Sequence, residues 1–414
     1  MGSNRICWLI VTLLLLAGQW GEPVAAQSVT PTPLPGDDYQ PLGLRAGGFF
    51  MFPSVETGLR VTDNVSRQPQ GRRDDVGYFV APSMRLESDW VRHSFSVDAS
   101  SRHVYYFDNP SEDETDVDIR LRSRIDVRRS TDIALVAGYN LQQEGRGSID
   151  VPGAAAEPPN EHRFDGSATL THRFNRLEAS VGGSAEYNLF EDVSLVGGGT
   201  QNNSDRNYTE IEGVLRLGYN VSPKIQPFVS GRYSVRRHDD ETDDNGLRRD
   251  SDGFKVEVGV RVEASALLFG EVAVGYVRRE FDDTALADVD GVTVDATVTW
   301  LPTEITTIEL TAGTNVEETS AGTLSGAIER SVGVSVSHAL RRNLTVAGRA
   351  LYSIEDFSGG SLEEETLLLS AGLTYQFNRM LALTAGYTHE KFTSSIAGSD
   401  YFENRFLIGV LVQR

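Results

Sequence analysis

The stretch "DVDIRLRSRIDVR", residues 116–128, concentrates charged side chains at alternate positions. Arg120, Arg122 and Arg124 alternate with Ile119, Leu121 and Ile125, and a period of two puts the guanidiniums on one face of a strand. Such a row could draw anions or hold an acidic polymer. It could equally pair with carboxylates on neighbouring strands and do no more than solvate a wall. A catalytic reading is weaker. Ser101, His103 and Ser123 fall on the apolar faces of adjacent strands, where some membrane barrels carry a lipid-cleaving Ser/His pair. The expected register sets Ser123 opposite Ala99, out of hydrogen-bond reach of His103. "ETDDNG" (241–246) places Glu241, Asp243 and Asn245 at calcium-ligand spacing, but Asp is missing at the first position and Asp252 stands where Glu is needed. It reads as a solvated acidic loop. With no G-x-S-x-G, no metal-spaced His/Cys cluster and no phosphate loop, neither an enzyme nor a metal or cofactor is expected.

The elements that carry these residues follow from the pattern of the whole chain. It has 414 residues, a net charge of −21, 40 Gly and one Cys. Nucleic acid is excluded as a partner, because phosphates need a basic face. Beyond residue 26 no apolar run approaches the 18 or so residues of a membrane helix. From Phe49 onward the period is two: Val256, Val258, Val260 and Val262 oppose Lys255, Glu257, Arg261 and Glu263, and "EITTIELTAGTNVE" (304–317) splits in the same way. These segments run to about 12–15 residues, longer than the 5–6 usual in soluble proteins and enough to cross a bilayer at a tilt. About eighteen such segments can be counted, from 49–61 to 401–413; the number falls to sixteen if 75–88, with Pro82 inside it, is not a full strand.

The connections alternate between minimal turns (Asp89-Trp90, Arg129-Ser130, Asn175, Ser222-Pro223-Lys224, Ala266, Pro302-Thr303, Arg341, Arg379) and long, mostly acidic loops. That alternation marks outer-membrane barrels, with short periplasmic turns and long extracellular loops. The expected fold is all-β: a transmembrane, antiparallel, up-and-down β-barrel over residues 47–414, with both termini periplasmic, in a Gram-negative cell outer membrane. Tyr139, Tyr233, Tyr276, Tyr352 and Tyr387 fall on the apolar faces 8–10 residues beyond a short turn, at the height of an outer aromatic girdle, and Phe174, Tyr219, Trp300, Tyr375 and Phe377 at that of the near one. Expected in the lumen are Arg120, Arg122, Arg124, Arg216, Arg232, Arg261, Glu257, Glu309 and Arg349. Sixteen to eighteen strands leave an aqueous channel, and no helix-length segment is present to plug it.

Ahead of the barrel, Arg5, an apolar core from Cys7 to Ala17 and Val24-Ala25-Ala26 before Gln27 read as a signal peptide (1–26) cut after Ala26. Its removal leaves no cysteine. Residues 27–46 follow as a Pro-rich periplasmic linker.

"PLGLRAGGFFMFPSVETGLRVTDNV" (41–65) resembles the entry into the first strand of the β-barrel porin type 2 family, through Arg45-Ala46-Gly47-Gly48-Phe49, Pro53, Glu56 and Asp63-Asn64-Val65. Several members of that family accompany exopolysaccharide or capsule export. The resemblance implies an outer-membrane channel taking part in exopolysaccharide export, with periplasmic polysaccharide-export components as partners beside the barrel-assembly machinery, membrane lipid and lipopolysaccharide. Such barrels often end in an aromatic residue, whereas this chain ends in Arg414 with Phe402 and Phe406 upstream. Two further readings stand beside it. A general diffusion porin for small solutes would fold one loop into the pore, and a structural or adhesive surface barrel would work through its loops.

Overall fold

The computed structural model describes residues 39–414. Eighteen long strands follow one another: β1 (Phe49–Thr62), β2 (Asp75–Ser88), β3 (Ser94–Tyr106), β4 (Glu114–Arg128), β5 (Thr131–Gln143), β6 (Asn160–Phe174), β7 (Leu177–Phe190), β8 (Tyr208–Tyr219), β9 (Ile225–His238), β10 (Ser251–Ser265), β11 (Leu268–Phe281), β12 (Val289–Thr303), β13 (Thr306–Glu317), β14 (Gly326–Arg341), β15 (Leu344–Ser358), β16 (Glu363–Gln376), β17 (Leu381–Ser394) and β18 (Tyr401–Gln413). Each pairs antiparallel with the next. β18 returns to β1 from Ser54↔Gln413 to Thr62↔Arg405, which closes the barrel. Closure leaves no edge strand, so the backbone polar groups are satisfied within the wall, as a bilayer demands.

Alternation then sorts the side chains. Val258, Val332 and Ile408 face outward, each more than half exposed, into what would be lipid. Between them Glu257, Arg405 and their equivalents face inward and are largely covered by one another. The interior is therefore mainly polar, with a small apolar cluster of Val65, Phe79, Val104 and Tyr106, and most of the apolar surface forms a greasy outer band.

The strand expected at 75–88 is complete, so the count is eighteen and not sixteen. Pro82 pairs with Val55 of β1 in an unbroken ladder. Towards β3, where Pro82 has no N–H to give, the pairing lapses after Val80↔His103 and resumes in the same register at Ser83↔Ser100. Two turns also fall later than expected. Pro302-Thr303 belong to β12 and Arg341 to β14, because the ladders shift register at Trp300/Thr303 and at Ala339/Arg341, and a bulge lengthens a strand by an unpaired residue. At the β6–β7 turn, Asn175 takes a left-handed φ of 56°, which Asn tolerates better than most residues.

All the short turns lie at one end. The first and last described residues lie there too: the Tyr39 carbonyl accepts from Gln376 Nε2, and the Arg414 N–H donates to the Pro53 carbonyl. The other end carries nine loops, L1 (63–74), L2 (107–113), L3 (144–159), L4 (191–207), L5 (239–250), L6 (282–288), L7 (318–325), L8 (359–362) and L9 (395–400). If the outward band is a lipid surface, Val258→Arg will lower the stability of the liposome-folded barrel by about 2–4 kcal/mol. Reversible urea unfolding from liposomes checks this, and an unchanged midpoint would contradict it.

Candidate functional site

The lumen wall from β1 to β11 is laced with ion pairs, several of which reach over intervening strands. Arg120 on β4 donates to both carboxylate oxygens of Asp165 on β6 at 2.8 and 2.7 Å. It crosses β5 at Gly138, where a Cβ would meet Asp165 Oδ1 at 2.4 Å and Arg120 Nη1 at 2.5 Å. Only glycine leaves room for that bridge. Arg216 on β8 makes a fork to Glu271 on β11, 2.7 Å at each tooth, with its guanidinium 3.5 Å from the centre of the Phe228 ring. Phe228 lies flat in turn over Gly259, whose Cβ would approach the ring to 2.4 Å. Arg60 reaches from β1 to Glu114 on β4, and Arg279 from β11 to Glu210 on β8. Bidentate pairs of this kind fix geometry as well as charge.

This places the expected lumen residues. Arg122 pairs with Asp98 and Arg124 with Asp126 and Asp132, so the row that could have held an anion is neutralised by its own wall. Arg261 pairs with Glu271 and Glu178; Glu257 accepts from the Ser230 hydroxyl and pairs with Lys255. Arg232 faces the lumen beside Lys255, with its Nε buried and unpartnered. Glu309 and Arg349 face the lumen without an ion pair. Register puts Ser123 opposite Phe95 instead of Ala99 and His103 opposite Thr115, so the Ser/His pair is further apart than expected. "ETDDNG" serves another purpose, since Asp243 binds Arg249 at 2.7 Å. Among the described residues no group of three His, Cys, Asp or Glu side chains could hold a metal ion.

Four of the five outer tyrosines share a kind of contact that spacing does not reveal. Tyr276 donates to Asp290 at 2.6 Å, Tyr352 to Glu365 at 2.9 Å, and Tyr387 to the Asn404 amide oxygen at 2.7 Å, while Tyr139 sits 3.0 Å from His162 Nδ1. Tyr233 is outward and more than half exposed. The hydroxyls of Tyr139, Tyr276, Tyr352 and Tyr387 thus rise from the apolar band to polar partners. At the short-turn end Tyr219, Trp300, Phe174 and Phe377 are also outward and exposed, and Tyr375 meets Phe377 edge to face.

The mouth is crossed by loops. Asp150, in L3 between β5 and β6, accepts at Oδ1 from the Thr319 hydroxyl (3.0 Å), the Ser320 N–H (3.0 Å) and the Ser320 hydroxyl (3.2 Å) of L7. L7 joins β13 and β14, close to diametrically opposite. An eighteen-strand barrel is roughly 35 Å across, and the chain from Gln143 to Asp150 spans about 24 Å at most, so L7 must lean inward to meet it. It is held there. Buried Arg249 of L5 donates to the L7 carbonyls of Thr319 (2.6 Å), Leu324 (2.8 Å) and Gly322 (2.9 Å), and Arg236 and His238 grip Glu318. The root of L3 is fixed by Arg146 to Glu112 (2.7 Å), by the fork of Arg206 to Glu144 (2.6 and 2.9 Å) and by Val151, Ala155 and Val193 packing together. None of Asp150, Thr319, Ser320 or Arg249 stands out in the sequence, because contacts between loops follow no period.

Electrostatics keeps these anchors charged. Burial alone would raise the Glu318 carboxyl, but Arg236 and His238 outweigh it and hold it at about 2. Burial likewise works against Asp243, and the Leu247 N–H and Arg249 keep it below the ordinary carboxylate range.

A family model described as "Putative beta-barrel porin 2" matches residues 37–414. No curated protein matches the chain. Among solved structures, it is similar to the outer membrane protein OpdK of Pseudomonas aeruginosa (11% identity over 88% of this chain and 99% of that chain, TM-score 0.42). It is also similar to OpdL of the same organism (12%, 89% and 99%, TM-score 0.41) and to its siderophore receptor PirA (9%, 88% and 80%, TM-score 0.41).

The Glu318 anchor depends on pH. Its carboxyl titrates lower in the folded loop than the usual 4.5, so its stabilisation is complete above pH 4.5 and fades as the pH falls through about 2. A spin label at Ala321→Cys should be immobile at pH 7 and loosen between pH 4.5 and 2. In Glu318→Gln it should be loose already at pH 7; equal immobility in both proteins at both extremes would refute the anchor.

Proposed function

Because the chain belongs to the β-barrel porin 2 family and is an outer-membrane β-barrel of porin type, we propose that it is a passive channel for small hydrophilic solutes. The long loops face the cell exterior, and the short turns and both chain ends face the periplasm. L3 sets the width of the outer mouth. The observation that carries this reading is the contact of Asp150 with Thr319 and Ser320 across the barrel, which divides the opening as a constriction loop would. Export of an exopolysaccharide would need the same mouth clear, so that reading requires L3 to swing aside. The charged lumen supports passage of water and polar solutes in either case.

Single-channel conductance in planar bilayers tests it. The wild type should conduct with a small unitary current, and Asp150→Ala, which removes the acceptor of three hydrogen bonds, should raise that current about twofold or more. Absence of any current in both would end the channel reading. A large wild-type current that anionic polysaccharide oligomers block, and that Asp150→Ala leaves unchanged, would favour polymer export.

A further inference from the structure

The lumen has two unlike walls. From β1 to β11 most of its arginines are tied into ion pairs, Arg232 being an exception. From β12 to β17 the inward positions are mostly Thr, Ser and Gly, and within the spans of those strands Arg349 is the one basic side chain among the described residues that faces inward; Arg330 and Lys391 point outward, in step with Val332 and His389. Arg349 on β15 and Glu309 on β13 both stand opposite Ser335 of β14. They therefore lie two strands apart at one level, roughly 9–10 Å between backbones. Both side chains are part-exposed, yet no ion pair joins them, and neither has a hydrogen bond among the described residues. On the far side of Arg349, directly opposite it, Ser370 of β16 has a buried hydroxyl with no hydrogen-bond partner.

Arg349 and Glu309 leave two opposite charges open at one level, nearer the short turns than the inward carboxylates Glu317, Glu329, Glu355 and Glu364, which likewise have no ion pair among the described residues, and together they set up a local field along this wall. From this we infer that solutes travel along the β12–β17 wall, and that Arg349 and Glu309 select for small zwitterions. The carboxylate of an amino acid meets Arg349 and the Ser370 hydroxyl, its ammonium meets Glu309, and Ser335 lies between them. Arg120, Arg122 and Arg124 take no part, because their charges are spent on Asp165, Asp98, Asp126 and Asp132. The inference rests on the channel reading and names the solute class of that channel.

Liposome swelling and reversal potentials test it together. Wild-type protein should admit the amino acid glycine and the neutral sugar arabinose. Arg349→Gln and Glu309→Gln should each lower the glycine-to-arabinose rate ratio, by about fivefold for the loss of one solvent-exposed charge contact. In a potassium chloride gradient they should move the reversal potential in opposite directions, Arg349→Gln towards cations and Glu309→Gln towards anions. Neither substitution breaks an ion pair, so the barrel should fold; heat-modifiable gel migration verifies that. An unchanged ratio with unchanged reversal potentials in folded variants would overturn the inference while leaving the channel intact. Failure of the wild type to admit either solute would bring down the channel reading itself, and this inference with it.

Discussion

The pairing of β1 with β18 is the contact on which the rest depends. A sheet in a bilayer cannot leave an edge, because no water is available there to satisfy its N–H and C=O groups. The ladder from Ser54↔Gln413 to Thr62↔Arg405 joins residues more than 340 positions apart, and only after it forms does the curved sheet have an inside. Before closure, Arg216 and Val258 are merely alternate residues of two strands. After closure one belongs to a lumen and the other to lipid.

Enclosure then sets a second problem, which is how to line a polar interior without leaving strong charges unpaired. The chain solves it with ion pairs that run over glycines. Gly138 lies beneath Arg120–Asp165, and Gly259 lies beneath the Phe228 ring that supports Arg216. The arrangement neutralises most of the β1–β11 wall. What remains electrically open is set less by which residues are charged than by which lack an ion pair, and on the opposite wall, among the described residues, these are Arg349 and the carboxylates Glu309, Glu317, Glu329, Glu355 and Glu364.

The mouth follows a different logic. L3 and L7 come from opposite sides of the barrel and meet above the lumen through three hydrogen bonds on one carboxylate. Their roots are fixed far more firmly than their tips, by Arg249, Arg206 and Arg146 at one or more charged partners each. The tip contact is therefore the weakest part of the crossing and the natural place for it to part.

Much of this was legible in the sequence. Period two, strands of 12 residues or more and turns that alternate in length determine an outer-membrane barrel, because a strand's side chains alternate faces whatever it pairs with. The boundaries came within a residue or two for strands such as β1 and β18. Pro82 kept sixteen strands open beside eighteen only because a proline's effect depends on which neighbour its nitrogen faces. Likewise, the Arg120/Arg122/Arg124 row was visible as a row but not as a neutralised one, since Asp165 lies two strands away and Asp98 on the strand before. The sequence by itself determined the alternation, the lipid-facing band and the polarity of the lumen, all of which are local. Only the tertiary structure decided which lumen charges are free and which loops close the mouth, because both depend on distances between residues that nothing but closure of the barrel brings together.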